Sequence, residues 1–304
     1  MPRETCRGTL MPRTLPRFAL RCALAAMLAA PLLAAAGDVM DRIARRDEII
    51  IGHRTESPPF AFLDAAGQPI GYSIDLCRGI AERIRAELGK PRLPIRFVPV
   101  PSDQMVRIVS AGNVDLLCAG TSDTEERRQT MAFSIPIFVT NAKFLVRLKD
   151  SIGSAKQLKG QSVAVLGRTT AESAVPAYSE RTGLDLQISR ALTAEAAIGQ
   201  LDLGQVKAYA RDEVLLLSQL AQLKNERDYG VLQDVISTEI NAIALPKGDA
   251  LLQKAVDQGI ALMVRSGQAE ALYKKWFIDP HVGAPAGLRL RMPAELKEWF
   301  DRLR

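Results

Sequence analysis

From Glu48 onward the chain alternates between two hydrophobic periods. Short apolar runs bounded by turn residues, such as EIIIG at 48–52, read as buried strands. The segment YSIDLCRGIAERIRAELG instead places Ile74, Cys77, Ile80, Ala81, Ile84 and Leu88 on one helical face, and Gly89 closes it. PIRFVPV, SDQMVRIVSAG and VDLLCAG continue as strand, helix and strand, with Ser102 in a capping position. A βαβαβ order predicts a largely parallel sheet covered by helices.

The rhythm then restarts. QSVAVLG, LDLQIS and VKAYA read as strands, interleaved with helices over TAESAVPAYSERTG, TAEAAIGQLDLG and DEVLLLSQLAQL. Two α/β units therefore lie in tandem. FVTNAKFLVRL and STEINAIALPKGD flank the second unit, both extended and rich in β-branched or aromatic residues, which predicts a two-strand hinge near Val139–Ala142 and Ile236–Asn241. The final helices return to the first lobe. A cleft between the lobes is the expected ligand site, because open α/β sheets bind ligands at the carboxyl ends of their strands. PHVGAPAGLRLRMP and the short helix AELKEWFDRLR read as packing rather than chemistry.

Charge changes this picture little. The 304 residues carry a formal +6, of which Arg3, Arg7, Arg13, Arg17 and Arg21 against Glu4 supply four, leaving +2 for the rest and no electrostatic case for nucleic acid. The first four of these arginines precede an apolar run ending in Ala34, Ala35 and Ala36, the layout of a cleaved export signal over residues 1–36. Arg21 and Pro31 keep that run below the roughly 20 residues of a spanning helix. Cys77 and Cys118 remain after such cleavage, and they either pair, as an oxidising compartment allows, or stay as two buried thiols. Two separated cysteines with His53 and His281 do not make a zinc spacing, and His53 reads as structural.

No phosphate-cradling loop or nucleophile motif is present. The stretch GTSDTEERRQTMAFSIP is the candidate for chemistry. Gly120, Thr121 and Ser122 lie at a strand's carboxyl end, Asp123 is placed to cap a helical turn, and Arg127 follows five residues after Ser122. A guanidinium grips a carboxylate with two parallel hydrogen bonds. The alternative is a solvated face in which Arg127 and Arg128 pair with Glu125 and Glu126.

These segments, in order, resemble the family 3 periplasmic solute-binding proteins of polar amino acid ABC transporters, from about Asp47 to the C-terminus. GYSIDLCRGIAERI, VDLLCAGTSDTEERRQTMAFSIPIF, LKGQSVAVLGRTTAE, ARDE and GQAEALYKKWF carry the resemblance, and GHRTESPPF with the long tail is most similar to the glutamate/aspartate-binding type. The resemblance implies a type II binding-protein fold: two lobes, each an open mainly parallel sheet flanked by helices, joined by two hinge strands. The expected lobes are residues 37–140 with a return over 238–304, and residues 141–237. It further implies that Arg127 takes a ligand α-carboxylate beside Ser122 and Gly120, with Thr169 and Thr170 closing from the second lobe at a helix N-terminus. Asp212, also placed to cap a helix, accepts from the α-ammonium, since a zwitterion leaves water only when both charges are paired. Arg54 is similar to the side-chain selector, with a surface pairing to Glu56 as its alternative, and Ser102 is retained beside it.

Several positions depart from the acidic-ligand pattern: Met105 where a second arginine is expected, Thr193 for a histidine, Arg168 for a glycine, and Ser57 for an aromatic. Arg168 or Arg211 could compensate. The expectation is a periplasmic, monomeric amino acid receptor that closes by hinge motion and delivers its ligand to an ABC permease, without cofactor or catalysis. A cyclohexadienyl dehydratase-like enzyme, with Glu172 as acid or base, and a sensory binding protein are the alternatives.

Overall fold

The computed structural model describes residues 39–280, 284 and 287–304; the expected leader and His281 lie outside the described residues. The chain enters through helix α1 (Val39–Arg46), which buries Val39, Met40 and Ile43, and passes into β1 (Ile49–His53), buried along its whole length. A small antiparallel sheet of β2 (Glu56–Ser57), β3 (Ala61–Leu63) and β4 (Pro69–Ile70) follows, then α2 (Tyr72–Glu87), β5 (Ile95–Pro99), α3 (Met105–Ser110) and β6 (Leu116–Ser122). β1 pairs in parallel with β5 and β6, as continuous apolar runs predict for strands covered on both faces.

Short α4 (Glu125–Arg128) and β7 (Met131–Phe133) lead to β8 (Phe138–Arg147), which enters the second lobe. There β9 (Ser162–Leu166), α5 (Thr170–Thr182), β10 (Gln187–Ala191), α6 (Ala194–Asp202), β11 (Ala208–Asp212) and α7 (Glu213–Leu220) repeat the α/β rhythm before β12 (Tyr229–Val231). β13 (Ser237–Pro246) returns to the first lobe, which α8 (Ala250–Arg265), α9 (Gln268–Tyr273), a π-helical turn over Lys274–Ile278 and α10 (Ala294–Arg302) complete.

The two-lobed α/β architecture matches the sequence reading, with one refinement. The two parallel sheets are not separate: they join in one ten-stranded sheet, ordered β10-β9-β11-β8-β13-β6-β1-β5, with β12 on β8 and β7 on β13. The cause is the length of the crossing strands. β8 and β13 have ten residues each, about 33 Å of extended chain, and pair antiparallel with one another and with a strand of each lobe.

Each lobe has its own apolar interior. In the first, Phe60, Tyr72, Phe138, Tyr273 and Phe277 pack edge-to-face or stacked, with centroids from 4.5 to 6.4 Å. In the second, Phe144, Val163, Val165, Val175 and Ala210 pack around one face of the sheet. Cys77 of α2 and Cys118 of β6 form a disulfide, which resolves the alternatives left by the sequence in favour of pairing. Asp75, in the first turn of α2, accepts from Lys275 Nζ at 2.7 Å and Trp276 Nε1 at 2.9 Å, fastening the returning C-terminal segment to the first lobe.

Candidate functional site

All eight residues singled out from the sequence line one small cavity between the lobes, of about 90 Å3. Arg54, Ser102, Gly120, Ser122 and Arg127 come from the first lobe, at the carboxyl ends of β1, β5 and β6 or just beyond them. Thr169, Thr170 and Asp212 come from the second. A larger cavity of about 520 Å3 shares Arg54, Ser102, Arg168, Thr169 and Arg211, and continues to Thr193.

Arg127 and Arg128 separate into two roles. Arg128 is exposed and pairs with Asp123. Arg127 is half-buried, donates from Nη1 to the Ser122 carbonyl at 2.8 Å, and makes no ion pair among the described residues. The expected capping by Asp123 is therefore corrected. Thr124 caps α4, its Oγ1 accepting from the Arg127 N–H at 3.2 Å, because the Asp123 carboxylate is committed to Arg128. Burial lowers the affinity of the Arg127 guanidinium for its proton, against the pull of Glu239 and Asp212.

Gly120 has a left-handed backbone with φ 58°, and a Cβ there would lie 2.6 Å from the Phe60 ring. Its N–H donates to Ser73 Oγ at 3.2 Å and its carbonyl accepts from Asn241 Nδ2 at 3.1 Å. Gly120 thus shapes the wall and does not aim its N–H at a ligand. Asn241, fully buried on β13, also approaches Ser122 Oγ at 3.5 Å. It was missed from the sequence, although a lone amide inside the apolar run INAIA is the kind of buried polar group that needs a reason.

Ser102 does not cap a helix through its side chain. Pro101 occupies the cap of a 3-10 turn over Ser102–Gln104, with no side-chain cap bond. Beside it, Arg54 donates from Nη1 to the Val100 carbonyl at 2.6 Å, with Nη2 3.7 Å from Met105 Sδ. Arg54 makes no ion pair with Glu56 or any other acid among the described residues, so the surface-pair alternative is set aside. Burial, then Arg127, draws its guanidinium down to about 10, with Asp103 opposing. Met105 is 3% exposed and packs in the apolar cluster behind the cleft, a place that suits a thioether and not a cation.

On the second lobe, Thr169 occupies the cap position of α5 and donates its hydroxyl to the Leu166 carbonyl at 2.8 Å, so no side chain caps the helix, whose first residues Thr170 and Ala171 line the cavity. Asp212 stands at the cap position of α7 but makes no side-chain cap bond. Burial, with Glu239 beside it, pushes its carboxyl up to about 7 despite Arg211 and Arg127. Its own backbone N–H donates to this buried carboxyl but no side chain does among the described residues, which leaves its charge open to a cation such as an ammonium ion. Thr193 caps α6, accepting from Ala196 N–H at 3.1 Å, and borders the larger cavity.

Glu172 is engaged otherwise. Its carboxylate takes Arg190 Nε and the Arg168 N–H, which hold it below the usual glutamate range, so it is poorly placed to deliver a proton. His53 is buried with Nδ1 2.9 Å from the Arg54 carbonyl, a packing role. No group of histidine, cysteine and carboxylate side chains suited to a metal occurs among the described residues.

Residues 49–279 match the sequence profile of the bacterial extracellular solute-binding proteins, family 3. The chain belongs to this family. Within it, an L-glutamate/L-aspartate-binding protein of Pseudomonas aeruginosa is 32% identical over 274 residues, covering 89% of this chain and 90% of the relative. A glutamate/aspartate import solute-binding protein of Salmonella typhimurium is 30% identical over 266 residues, 88% of each. Among solved structures, an ancestral arginine-binding protein bound to arginine superposes with a TM-score of 0.67 at 27% identity, over 76% of this chain and 99% of that one. A protein bound to arginine thus shares this chain's frame, while the two relatives are named for glutamate and aspartate.

Proposed function

We propose that this family 3 protein is the amino-acid-binding component of an ABC importer, working in the periplasm and passing its ligand to a membrane permease, and that its ligand is an amino acid with an acidic side chain. One observation carries the reading: Arg127 and Asp212, from opposite lobes, line the same small cavity and attract one another across it, and neither makes a direct ion pair among the described residues. A carboxylate and an ammonium on one carbon would satisfy both. Arg54, Arg168 and Arg211 add three further cations around the same space, an excess that favours a second anionic group on the ligand and repels a cationic one. The glutamate- and aspartate-binding relatives support the same choice. The domain limits of residues 37–140, 141–237 and 238–304 belong to this proposal, as does action as a monomer.

Thermal unfolding of refolded, ligand-stripped protein against the twenty amino acids and a set of dicarboxylates tests the reading. A ligand at 100 times its dissociation constant adds about 2.7 kcal/mol. The expected outcome is a shift with glutamate or aspartate that Arg54→Ala removes. A response confined to neutral amino acids would remove Arg54 as selector and keep the receptor.

A further inference from the structure

We propose that Arg168 is a positioning residue that latches the second lobe onto the first and thereby sets how long a ligand stays bound; this rests on the cleft being the ligand site. The guanidinium Nη1 donates to the Asp103 carbonyl at 3.0 Å. Arg168 follows β9 in the second lobe and Asp103 lies in the 3-10 turn of the first, so the bond crosses the mouth of the cleft. Among the hydrogen bonds of the described residues, it is the one that joins the lobes outside the hinge strands. A charged donor makes it stronger than a neutral pair.

The reach of Arg168 is built on both sides. Its own N–H donates to Glu172 Oε2 at 2.6 Å, and Arg190 holds the other oxygen of that carboxylate, so the loop carrying the guanidinium is braced. On the receiving side, Arg54 holds the Val100 carbonyl three residues before Asp103. The segment from Val100 to Asp103 therefore lies between two guanidinium groups, one from each lobe, and both groups line the two cavities.

The backbone gives a second, independent sign. Arg168 has φ 61°, in the left-handed region that glycine occupies without strain. A glycine would suit this turn better and reach nothing. Keeping a long cation in a conformation it disfavours is coherent when the side chain bonds across the cleft.

Because the bond exists only when the lobes are together, it favours the closed state whether or not ligand is present, and its loss should appear in dissociation. Arg168→Gly removes the guanidinium and the backbone strain together. With glutamate as probe in stopped-flow binding, its dissociation rate should rise roughly 3- to 10-fold, the loss of one hydrogen bond whose charge is screened at the exposed mouth of the cleft, with little change in association. Unliganded Arg168→Gly should melt at the same temperature as the native protein or higher, the opposite of what a purely structural role gives. Arg168→Lys should lie between the two in dissociation rate.

Small-angle X-ray scattering of the unliganded proteins should give a larger radius of gyration for Arg168→Gly. Dissociation and radius both unchanged would overturn the latch. If no amino acid binds the native protein, the functional reading fails by itself. The scattering comparison still decides the latch: a larger radius supports it and an equal radius overturns it.

Discussion

The two walls of the cleft are built differently. On the first lobe, Arg54 and Arg127 are each anchored to a backbone carbonyl of their own lobe, Gly120 is fixed between Ser73 and Asn241, and the Cys77–Cys118 disulfide underlies β6. On the second, the carboxyl of Asp212 has no hydrogen-bonded donor side chain among the described residues, and the Arg168 guanidinium bonds to the opposite lobe. The first wall, on the proposed function, is a pre-set anion receptor. The second supplies a counter-charge and a clasp whose partners lie across the cleft. If that reading holds, affinity and closure are separable here: one wall would hold the carboxylate, and the other would reward coming together.

That contrast can be broken most directly at Arg127. Arg127→Ala leaves a ligand carboxylate buried without its cation, a change that typically costs about 2–5 kcal/mol, so titration calorimetry should find affinity reduced by at least about thirtyfold with the melting temperature of unliganded protein little changed. A loss below tenfold would move the anion site elsewhere.

The disulfide should behave in the reverse way. For a crosslink spanning 41 residues, chain entropy gives about 4 kcal/mol, so the double variant Cys77→Ala, Cys118→Ala should lose stability of that order in denaturant unfolding while keeping ligand affinity within a few-fold. An equal loss in both quantities would mean that the first wall is not set independently of the crosslink.

The smallest effect concerns pH. Asp212 in the unliganded fold titrates near 7, above its ordinary 3.8, so between those values the folded state holds more protons than the unfolded chain. Its contribution to stability is fully present below 3.8 and is lost as pH rises through about 7. Ligand affinity should run the other way. An ammonium requires the ionised carboxylate, so affinity should fall as pH drops below about 7, by at most about tenfold per unit. Asp212→Asn should flatten both profiles, and a profile unchanged by that substitution would sever Asp212 from the ligand's amino group.

Much of the cleft was legible because its residues follow strand ends. Gly120, Ser122 and Arg127 lie in one short stretch after β6, and Thr169, Thr170 and Asp212 open helices after β9 and β11, so local order alone places them near the cleft. What stayed hidden depends on contacts between distant segments. The partner of Cys77 is 41 residues away, Asn241 reaches Gly120 over a separation of 121, and the bond from Arg168 to Asp103 depends on how two lobes meet. The choice between Asp123 and Thr124 as the cap of α4 was also out of reach, since it turns on which acid Arg128 takes.

The clasp at Asp75 has a consequence for the order in which the molecule can form. The interior of the second lobe draws on a contiguous stretch, residues 142–236, whereas that of the first needs residues from 39 onward together with others as late as 300. Asp75 meets its partners Lys275 and Trp276 across 200 and 201 residues. A chain emerging from its N-terminus therefore holds every contact of the second lobe before the first can be finished. The half that carries the proposed anion receptor is expected to be the last to become native, since loop-closure entropy slows contacts of such separation.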